Sequence, residues 1–221
     1  MKRFSLVVLV LSLASAFVFF LSGAMLELGP TAIDLRAPVA AHLSESGVTH
    51  PVTAVLLNYR GYDTLLEIAV LLLALLAILA VVGEAPAQPS RAAHPVLQAL
   101  ARLAAPLMIV VAVYLLWAGA FRPGGAFQAG AVLAAAAVLL HLAGLLRGWG
   151  FPPLRLRLGL AAGFAVFLTV AAVLAMRGAL LEFPPEEAGA LILLIESALA
   201  FSLGLILAGL FLCLAHEDET S

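Results

Sequence analysis

The sequence has little charge and only one cysteine. Of its 221 residues, 11% are charged and 8% are aromatic, whereas 64% are hydrophobic. Soluble domains carry roughly 25% charged and 45–50% apolar residues. One cysteine forms no intrachain disulfide and no cysteine-rich metal site. A soluble core of this length does not bury so much apolar surface, so we expect lipid to surround most side chains.

The charge balance and motif content exclude further classes. The chain has 11 Lys and Arg against 13 Asp and Glu, so we expect no nucleic-acid partner. It has no nucleophile–base pair, no phosphate-binding loop and no cofactor fingerprint. The sequence therefore predicts a protein that is not an enzyme by itself and that holds no cofactor or metal.

Six apolar stretches are each long enough to cross a bilayer. None alternates like the strands of an outer-membrane barrel, and lipid-exposed backbone must satisfy its own hydrogen bonds. The fold class is therefore predicted to be all-α, a polytopic membrane protein with about six transmembrane helices. The stretches are residues 4–26, 65–82, 103–119, 127–146, 158–176 and 188–215.

The first stretch also has features of a signal peptide. Lys2 and Arg3 precede an apolar run that contains the possible cleavage motif Ala14-Ser15-Ala16. The run continues to Leu26, about 23 residues in all, which exceeds the usual length of a signal-peptide core. This length favours a retained transmembrane helix over a cleaved signal.

Lysine and arginine predict the orientation, because both are enriched in cytoplasmic loops. With the N-terminus inside, seven of the 11 lie on the inner side and four on the outer side. The inner residues are Lys2, Arg3, Arg91, Arg102, Arg147, Arg155 and Arg157, and the outer residues are Arg36, Arg60, Arg122 and Arg177. We therefore expect both termini in the cytoplasm.

Two long connections divide the chain. Residues 27–63 form a predicted outer segment, and the Pro-, Ala- and Gln-rich stretch around residues 83–102 is typical of a linker. We therefore predict a two-helix region at 1–83, a linker at 84–102 and a four-helix domain at 103–221. No internal repeat relates the two regions, so the signature of a self-contained inverted-repeat transporter is missing.

The first motif precedes the second apolar stretch and carries three charges, Arg60, Asp63 and Glu67. We expect the helix to start at Asp63 or Thr64. Thr64 with Glu67 fits a capping box, a purely structural role. The alternative is that Arg60, Asp63 and Glu67 line the outer mouth of an ion path.

The second motif is Pro123-Gly124-Gly125-Ala126-Phe127-Gln128-Ala129-Gly130, between the third and fourth stretches. The proline ends one helix and the two glycines permit a tight reversal with exposed backbone N–H groups. A plain turn would explain the glycines but not Gln128 inside the next apolar run. The glycine spacing does not fit a dinucleotide-binding fingerprint.

Glu196 lies inside the last apolar stretch, about 15 Å along the helix from Pro185. Intramembrane carboxylates usually mark an ion or proton route, although a protonated Glu can also join helices by hydrogen bonding. Its position among small residues predicts that it points toward a partner helix. Those predicted to lie on or beside its face are Gly189, Ser197, Ala200 and Gly204.

His141 is the second ionisable residue inside a stretch. It shares a helical face with Gly130, Ala134 and Ala137. A titrating imidazole there would suit a proton relay, and an interhelical hydrogen bond is an equally good interpretation. No second ligand stands at metal-binding spacing.

Both motifs have a family resemblance. Arg60-Gly61-Tyr62-Asp63-Thr64-Leu65-x-Glu67 resembles the hydrogenase-subunit-E-like region at the C-terminus of the large subunit of Mrp-type multisubunit cation/proton antiporters. Pro123-Gly124-Gly125-x-Phe127-Gln128-x-Gly130 resembles the MnhB family, the B subunit of the same antiporters. The two resemblances cover about residues 1–83 and 95–215. The sequence departs from the family patterns at Asn58, Leu66, Ala126 and Ala129.

The resemblance implies an accessory membrane subunit of a monovalent cation (Na⁺)/proton antiporter in a bacterial or archaeal cell membrane. Its expected partners are other membrane subunits, monovalent cations, protons and the bilayer. The alternative is a membrane-arm subunit of a complex-I-like or membrane-bound hydrogenase respiratory complex. Gene neighbourhood distinguishes the two.

Overall fold

The computed structural model describes residues 2–27, 34–82, 94–146, 154–178 and 180–215, and these residues form helices and turns without any strand. The α-helices are α1 (Lys2–Glu27), α2 (Arg36–His42), α3 (Pro51–Ala54), α4 (Gly61–Val82), α5 (Pro95–Ala118), α6 (Ala126–Leu142), α7 (Leu154–Arg177) and α8 (Pro185–Ala215). Four of them, α4, α5, α7 and α8, are long and apolar enough to cross a membrane. Shorter apolar helices occur at Leu11–Glu27 and Ala126–Leu142. The predicted fold class, an all-α polytopic membrane protein, is confirmed.

The chain forms two compact units, Met1–Pro38 and Val39–Ser221. Within the first, α1 is one unbroken 26-residue helix that passes through the possible cleavage motif at 14–16. No charged residue lies between Arg3 and Glu27. Retention of this helix in the mature protein stays a prediction.

The second unit is built around α8. This helix packs chiefly against α6 and α7, while α5 packs on α6, and α4 contacts both α8 and α7. The side chains that fill the centre are fully or almost fully buried: Phe167, Ile192, Ile195, Leu199 and Leu203. Because lipid is as apolar as these side chains, close van der Waals packing holds the helices together.

Small residues let α6 approach α8 closely. A Cβ atom on Gly130 would lie 2.8 Å from the Cβ of Leu203, closer than side-chain atoms pack. Ser202 on α8 meanwhile donates a hydrogen bond from its hydroxyl to the carbonyl of Leu160 on α7, at 2.5 Å. The α8 helix is therefore held on both sides by contacts that a larger side chain would disrupt.

The residues between α2 and α4 are folded into the bundle. A 3₁₀ turn (Leu43–Glu45), the short α3 and a π-helical turn (Val55–Tyr59) follow one another here. Ser46, Ala54 and Leu57 are buried within this stretch. We call residues 43–60 the inserted segment. The sequence predicted only an outer connection at 27–63, and this part of the connection is instead packed against the helices.

Two predicted boundaries are wrong. Helix α4 begins at Gly61, before the predicted start at Asp63 or Thr64. Helix α5 begins at Pro95, so residues 95–102 of the predicted linker are helical. His94 caps this helix by accepting a hydrogen bond from the Val96 N–H at 3.3 Å, and proline suits the first helical position. Residues 84–93 of the predicted linker lie outside the described residues.

Candidate functional site

Glu196 lies in the interior of the bundle. Only 4% of this residue is exposed, and its carboxylate accepts a hydrogen bond from the backbone N–H of Ala126, the first residue of α6. The first N–H groups of a helix have no partner inside the helix and carry partial positive charge. The start of α6 therefore stabilises the carboxylate of Glu196 on the facing helix.

The Pro-Gly-Gly motif makes room for this carboxylate. Gly125 has a φ of +106°, which side chains rarely allow, and a Cβ there would lie 2.7 Å from Oε1 of Glu196. The Gly125 N–H donates to the carbonyl of Leu115 near the end of α5, at 2.9 Å. The motif thus closes the turn between α5 and α6 and leaves its inner side open to Glu196.

Helix α6 begins level with the middle of α8 and not with its first turn. It has only 17 residues, and its first residue meets Glu196, which is about 16 Å along α8 from Pro185 at roughly 1.5 Å per residue. The α5–α6 turn therefore lies well below the first turn of α8. The inserted segment spans the distance between the α5–α6 turn and the start of α8. Its Gly47 packs directly against Ala188 and Gly189 near the start of α8.

The inserted segment is hydrogen-bonded to the α5–α6 turn. The backbone N–H groups of Thr49 and His50 both donate to the carbonyl of Ala120, at 2.9 and 3.1 Å. The Thr53 hydroxyl donates to the carbonyl of Gly119 at 2.6 Å. These bonds satisfy carbonyls at the end of α5 that have no partner within the helix.

A cavity of about 440 Å³ lies between the inserted segment, α4, the α5–α6 turn and α8. Glu196 borders it in the interior of the bundle, and Glu67 borders it as an exposed side chain on α4. The structure thus places at one cavity two carboxylates that are 129 positions apart in the sequence. The polar side chains lining it are His50, Thr53, Thr64, Glu67, Gln128 and Glu196.

The second motif supplies much of the cavity wall. Its residues Pro123, Gly124, Gly125, Ala126, Phe127 and Gln128 all line the cavity. Gly130, the last residue of the motif, instead packs against α8. Gln128, which a plain turn left unexplained, therefore has a place beside the cavity.

The predicted capping box at Thr64 is wrong. Thr64 lies inside the first turn of α4, where it is 3% exposed, and its hydroxyl donates to the carbonyl of Leu56 at 2.6 Å. The π-helical turn explains why the carbonyl of Leu56 accepts this bond. Within it the Arg60 N–H donates to the carbonyl of Val55, at 2.8 Å, instead of to Leu56. Thr64 thus provides a donor for a carbonyl that loses its usual α-helical partner.

The predicted charged cluster divides into two parts. Arg60 and Asp63 form an ion pair with each other, and both side chains are largely exposed. Neither lines the cavity, whereas Glu67, one turn further along α4, does. Asn58, where the sequence departs from the resembled family, donates from Nδ2 to the carbonyl of Ser46 at 3.1 Å, which is a structural role within the inserted segment.

His141 does not belong to the cavity. It lies 15 residues after Ala126 on α6, about 22 Å along the helix at 1.5 Å per residue. Its Nδ1 atom is buried and has no hydrogen-bond partner among the described residues. Its participation in proton relay stays a prediction.

The surroundings of Glu196 differ in one respect from the predicted small-residue face. Ala200 and Gly204, which were predicted on or beside this face, are buried, and Gly189 is half-buried. Ser197 is exposed, and its hydroxyl donates to the carbonyl of Leu193 in its own helix at 2.7 Å. Since consecutive helical residues point about 100° apart, position 197 turns away from the contact that position 196 makes.

The sequence did not identify His50 or Thr53 as site residues. Thr53 meets Gly119 across 66 positions in the chain, and no spacing rule relates the two. The only signal was indirect, since both residues belong to the predicted outer segment at 27–63. Their role depends on the packing of the inserted segment, which hydrophobic periodicity does not report.

Apart from the imidazole of His50, the polar side chains that line the cavity offer oxygen atoms. Carboxylate, amide and hydroxyl oxygens bind hard cations and protons, and the sites of softer transition metals use thiolate or imidazole groups. Within the part of the chain that the structure describes, no group of three or more His, Cys, Asp or Glu side chains is positioned to hold a metal ion.

Comparisons with known proteins place this site in a family. The family model described as "Domain related to MnhB subunit of Na+/H+ antiporter" matches residues 96–214. This range contains α6, α7, almost all of α5 and α8, and the Pro-Gly-Gly turn. Among curated proteins, none matches the chain significantly.

Two solved structures share the fold. A chain of the membrane-bound sulfane sulfur reductase (MBS), an archaeal respiratory membrane complex, has a TM-score of 0.73 and 22% identity, covering 94% of this chain and 97% of that chain. A chain of the Mrp complex from Dietzia sp. DQ12-45-1b has a TM-score of 0.64 and 22% identity, covering 91% of this chain and 25% of that chain. At this identity the similarity establishes the fold. The family model, which spans more than half of the 221 residues, establishes the relationship: the chain belongs to the MnhB family.

Proposed function

We propose that this chain is a membrane subunit of a multisubunit monovalent cation/proton antiporter, and that its cavity forms part of the ion path. The observation that carries the proposal is the buried carboxylate of Glu196 at a cavity inside an MnhB domain. The Mrp complex, which contains a chain with this fold, gives it context.

The energetics favour a role in transport. A charged carboxylate at the centre of a bilayer costs roughly 2.5–3.5 kcal/mol on insertion scales. The hydrogen bond from Ala126 offsets part of this cost, and it requires the special backbone of Gly125. An apolar residue at 196 would need neither feature. The fold stabilises this buried acid with a hydrogen bond and a glycine. Exchange of a proton or cation at Glu196 best explains why the acid is present.

The two carboxylates suit a stepwise path. Glu67 is exposed and Glu196 is buried, and both border the same cavity. In this proposal an ion or proton that enters beside Glu67 reaches Glu196 through the cavity. The proton-motive force drives the exchange, and neighbouring subunits form the rest of the path. This chain acts as a transport subunit and has no catalytic reaction of its own.

The proposal extends to location and organisation. The protein lies in the cytoplasmic membrane of a bacterial or archaeal cell with both termini in the cytoplasm, in keeping with seven inner against four outer Lys and Arg. Residues 1–83 correspond to a hydrogenase-subunit-E-like region joined to the MnhB domain. The similarity to a chain of an archaeal complex covers 94% of the present chain and thus includes residues of both regions.

A second candidate function follows from the same similarity. The MBS chain is matched over 97% of its own length and belongs to a respiratory membrane complex. In a complex of that kind, redox chemistry in other subunits would drive ion movement, and the cavity of this chain would again carry ions or protons.

Purification from the native membrane in mild detergent tests the proposal. We expect large antiporter subunits to copurify, and we expect everted membrane vesicles to exchange cations for protons only when this chain is present. Copurification with iron–sulfur or nickel-containing proteins would favour the respiratory complex. A stable monomer without partners would contradict both assignments.

A further inference from the structure

Two threonine hydroxyls at the cavity donate their protons to backbone carbonyls. Thr53 donates to the carbonyl of Gly119 and Thr64 to the carbonyl of Leu56, each at 2.6 Å. Both residues are almost fully buried, with 5% and 3% exposed. Both line the same cavity as Glu196.

A hydroxyl group has one proton and two lone pairs. Because each proton is bound to a carbonyl, the oxygen of each threonine presents only lone pairs. The Nδ1 atom of His50 lies 3.3 Å from Oγ1 of Thr53 and can use one of them, and the others are open to a further partner. That partner must be a hydrogen-bond donor or a cation. An anion in the cavity would meet these oxygens as repulsive neighbours.

The carboxylate of Glu196 has the same requirement. An ionised carboxylate offers about four lone-pair positions, and the structure accounts for one with the N–H of Ala126. No Lys or Arg occurs among the described residues that line the cavity. Arg60, which directly precedes α4, is paired with Asp63, and neither residue lines the cavity. His50 also lines the cavity, with its Nδ1 atom 3.3 Å from Oγ1 of Thr53. The cavity thus has carboxylate and hydroxyl oxygens, and no Lys or Arg among the described residues that line it.

We propose that the carboxylate of Glu196 and the hydroxyl oxygens of Thr53 and Thr64 bind an alkali cation. The inference rests on the proposed function and specifies the ligands of the cation within the path. A volume of about 440 Å³ holds a partly hydrated ion, since a water molecule takes roughly 30 Å³ of liquid volume. Waters complete the coordination, and Glu67 lies at the exposed side of the cavity.

The three ligands come from three different elements. Thr53 belongs to α3 in the inserted segment, Thr64 to α4 and Glu196 to α8. A cation bound among them links the inserted segment to the helices of the MnhB domain. The site therefore needs both regions of the chain.

The test measures cation/proton exchange by the complete complex in everted vesicles, with Na⁺ and K⁺ tried separately. Thr53→Val and Thr64→Val remove an oxygen at nearly constant volume, and Thr53→Ser and Thr64→Ser retain it. Thr169→Val is the matched control, because Thr169 is exposed on α7 and donates to the carbonyl of Ala165 in its own helix. Subunit content is checked by gel for every variant.

We expect each valine variant to raise the half-saturating cation concentration about tenfold, the effect of losing one charge-assisted contact. The serine variants should stay within about twofold of wild type on the same scale, and Thr169→Val should be unchanged. Unchanged half-saturation in both valine variants, in a complex that still exchanges cations, would overturn the site and leave the antiporter function standing. A wild-type complex that exchanges no cation would overturn the proposed function itself. If a valine variant fails to assemble, the serine variant at the same position provides the test. A tenfold rise in its half-saturating cation concentration would contradict the proposal, because serine retains the oxygen.

Discussion

Gly125 and Glu196 are placed so that one leaves space for the other. A Cβ atom on Gly125 would lie 2.7 Å from Oε1 of Glu196, and the carboxylate accepts its hydrogen bond from the very next residue, Ala126. The Pro-Gly-Gly motif and the intramembrane acid are 71 positions apart in the sequence. In the structure they are in direct contact. The second glycine of the motif is needed because a side chain there would collide with the carboxylate.

Replacement of Gly125 by alanine should disturb this feature. The backbone of Gly125, with φ +106° and ψ −168°, lies in a region essentially restricted to glycine and costs roughly 1–3 kcal/mol for a residue with a Cβ. The added methyl group also displaces the carboxylate. We expect the exchange rate to fall about tenfold or more, in line with about 1.4 kcal/mol per factor of ten. Exchange in everted vesicles, normalised to the amount of assembled complex, checks this.

Gly23→Ala is the control for that substitution. A Cβ on Gly23 meets no atom within 4 Å, and alanine is favoured over glycine inside a helix. Exchange by Gly23→Ala should match wild type. Equal rates for Gly125→Ala and Gly23→Ala would show that the glycine serves only the chain reversal.

Replacement of Glu67 by glutamine tests whether its charge contributes to the path. The side chain lines the cavity and caps no helix, because α4 begins at Gly61. Glutamine keeps the shape and removes the charge, so we expect slower exchange with unchanged assembly. Glu182→Gln, at an exposed residue that does not line the cavity, should have no effect. A normal exchange rate in Glu67→Gln would place this residue outside the path.

Cysteine labelling tests the orientation. In a Cys213→Ala background, Ser44→Cys should react with a membrane-impermeant thiol reagent added to intact cells, because Ser44 is exposed in the inserted segment. Ser90→Cys, in the predicted cytoplasmic connection, should react only after the membrane is opened. Ser46 does not serve as the probe because it is fully buried. The opposite labelling pattern would invert the topology.

The sequence predicted the helices well because their signal is local. Each of the six apolar stretches coincides with a helix of the structure, since a run of apolar residues is sufficient to predict a helix in lipid. The MnhB resemblance was confirmed through residues 96–214, which contain the Pro-Gly-Gly motif that suggested it. The hydrogenase-subunit-E-like resemblance of the N-terminal region stays a prediction.

The sequence predicted the site only in part, because the site is formed by contacts between distant residues. Glu196 was identified from its cost in lipid, and Glu67 from its place in a motif. The inserted segment was missed because its packing depends on pairs such as Thr53 with Gly119 and Asn58 with Ser46. The start of α4 was misplaced because the π-helical turn before it gives Thr64 a partner outside its own helix.

The central claim is that Glu196 takes part in ion or proton movement, and exchange by two variants tests it most directly. Glu196→Gln can still accept the hydrogen bond from Ala126 through its amide oxygen, but it neither titrates nor carries charge. Glu196→Asp titrates with a shorter reach. In vesicles that contain wild-type amounts of assembled complex, we predict that Gln abolishes cation/proton exchange and that Asp retains part of it. Wild-type exchange by the Gln variant would contradict the account and leave Glu196 as a hydrogen-bonded contact between α6 and α8.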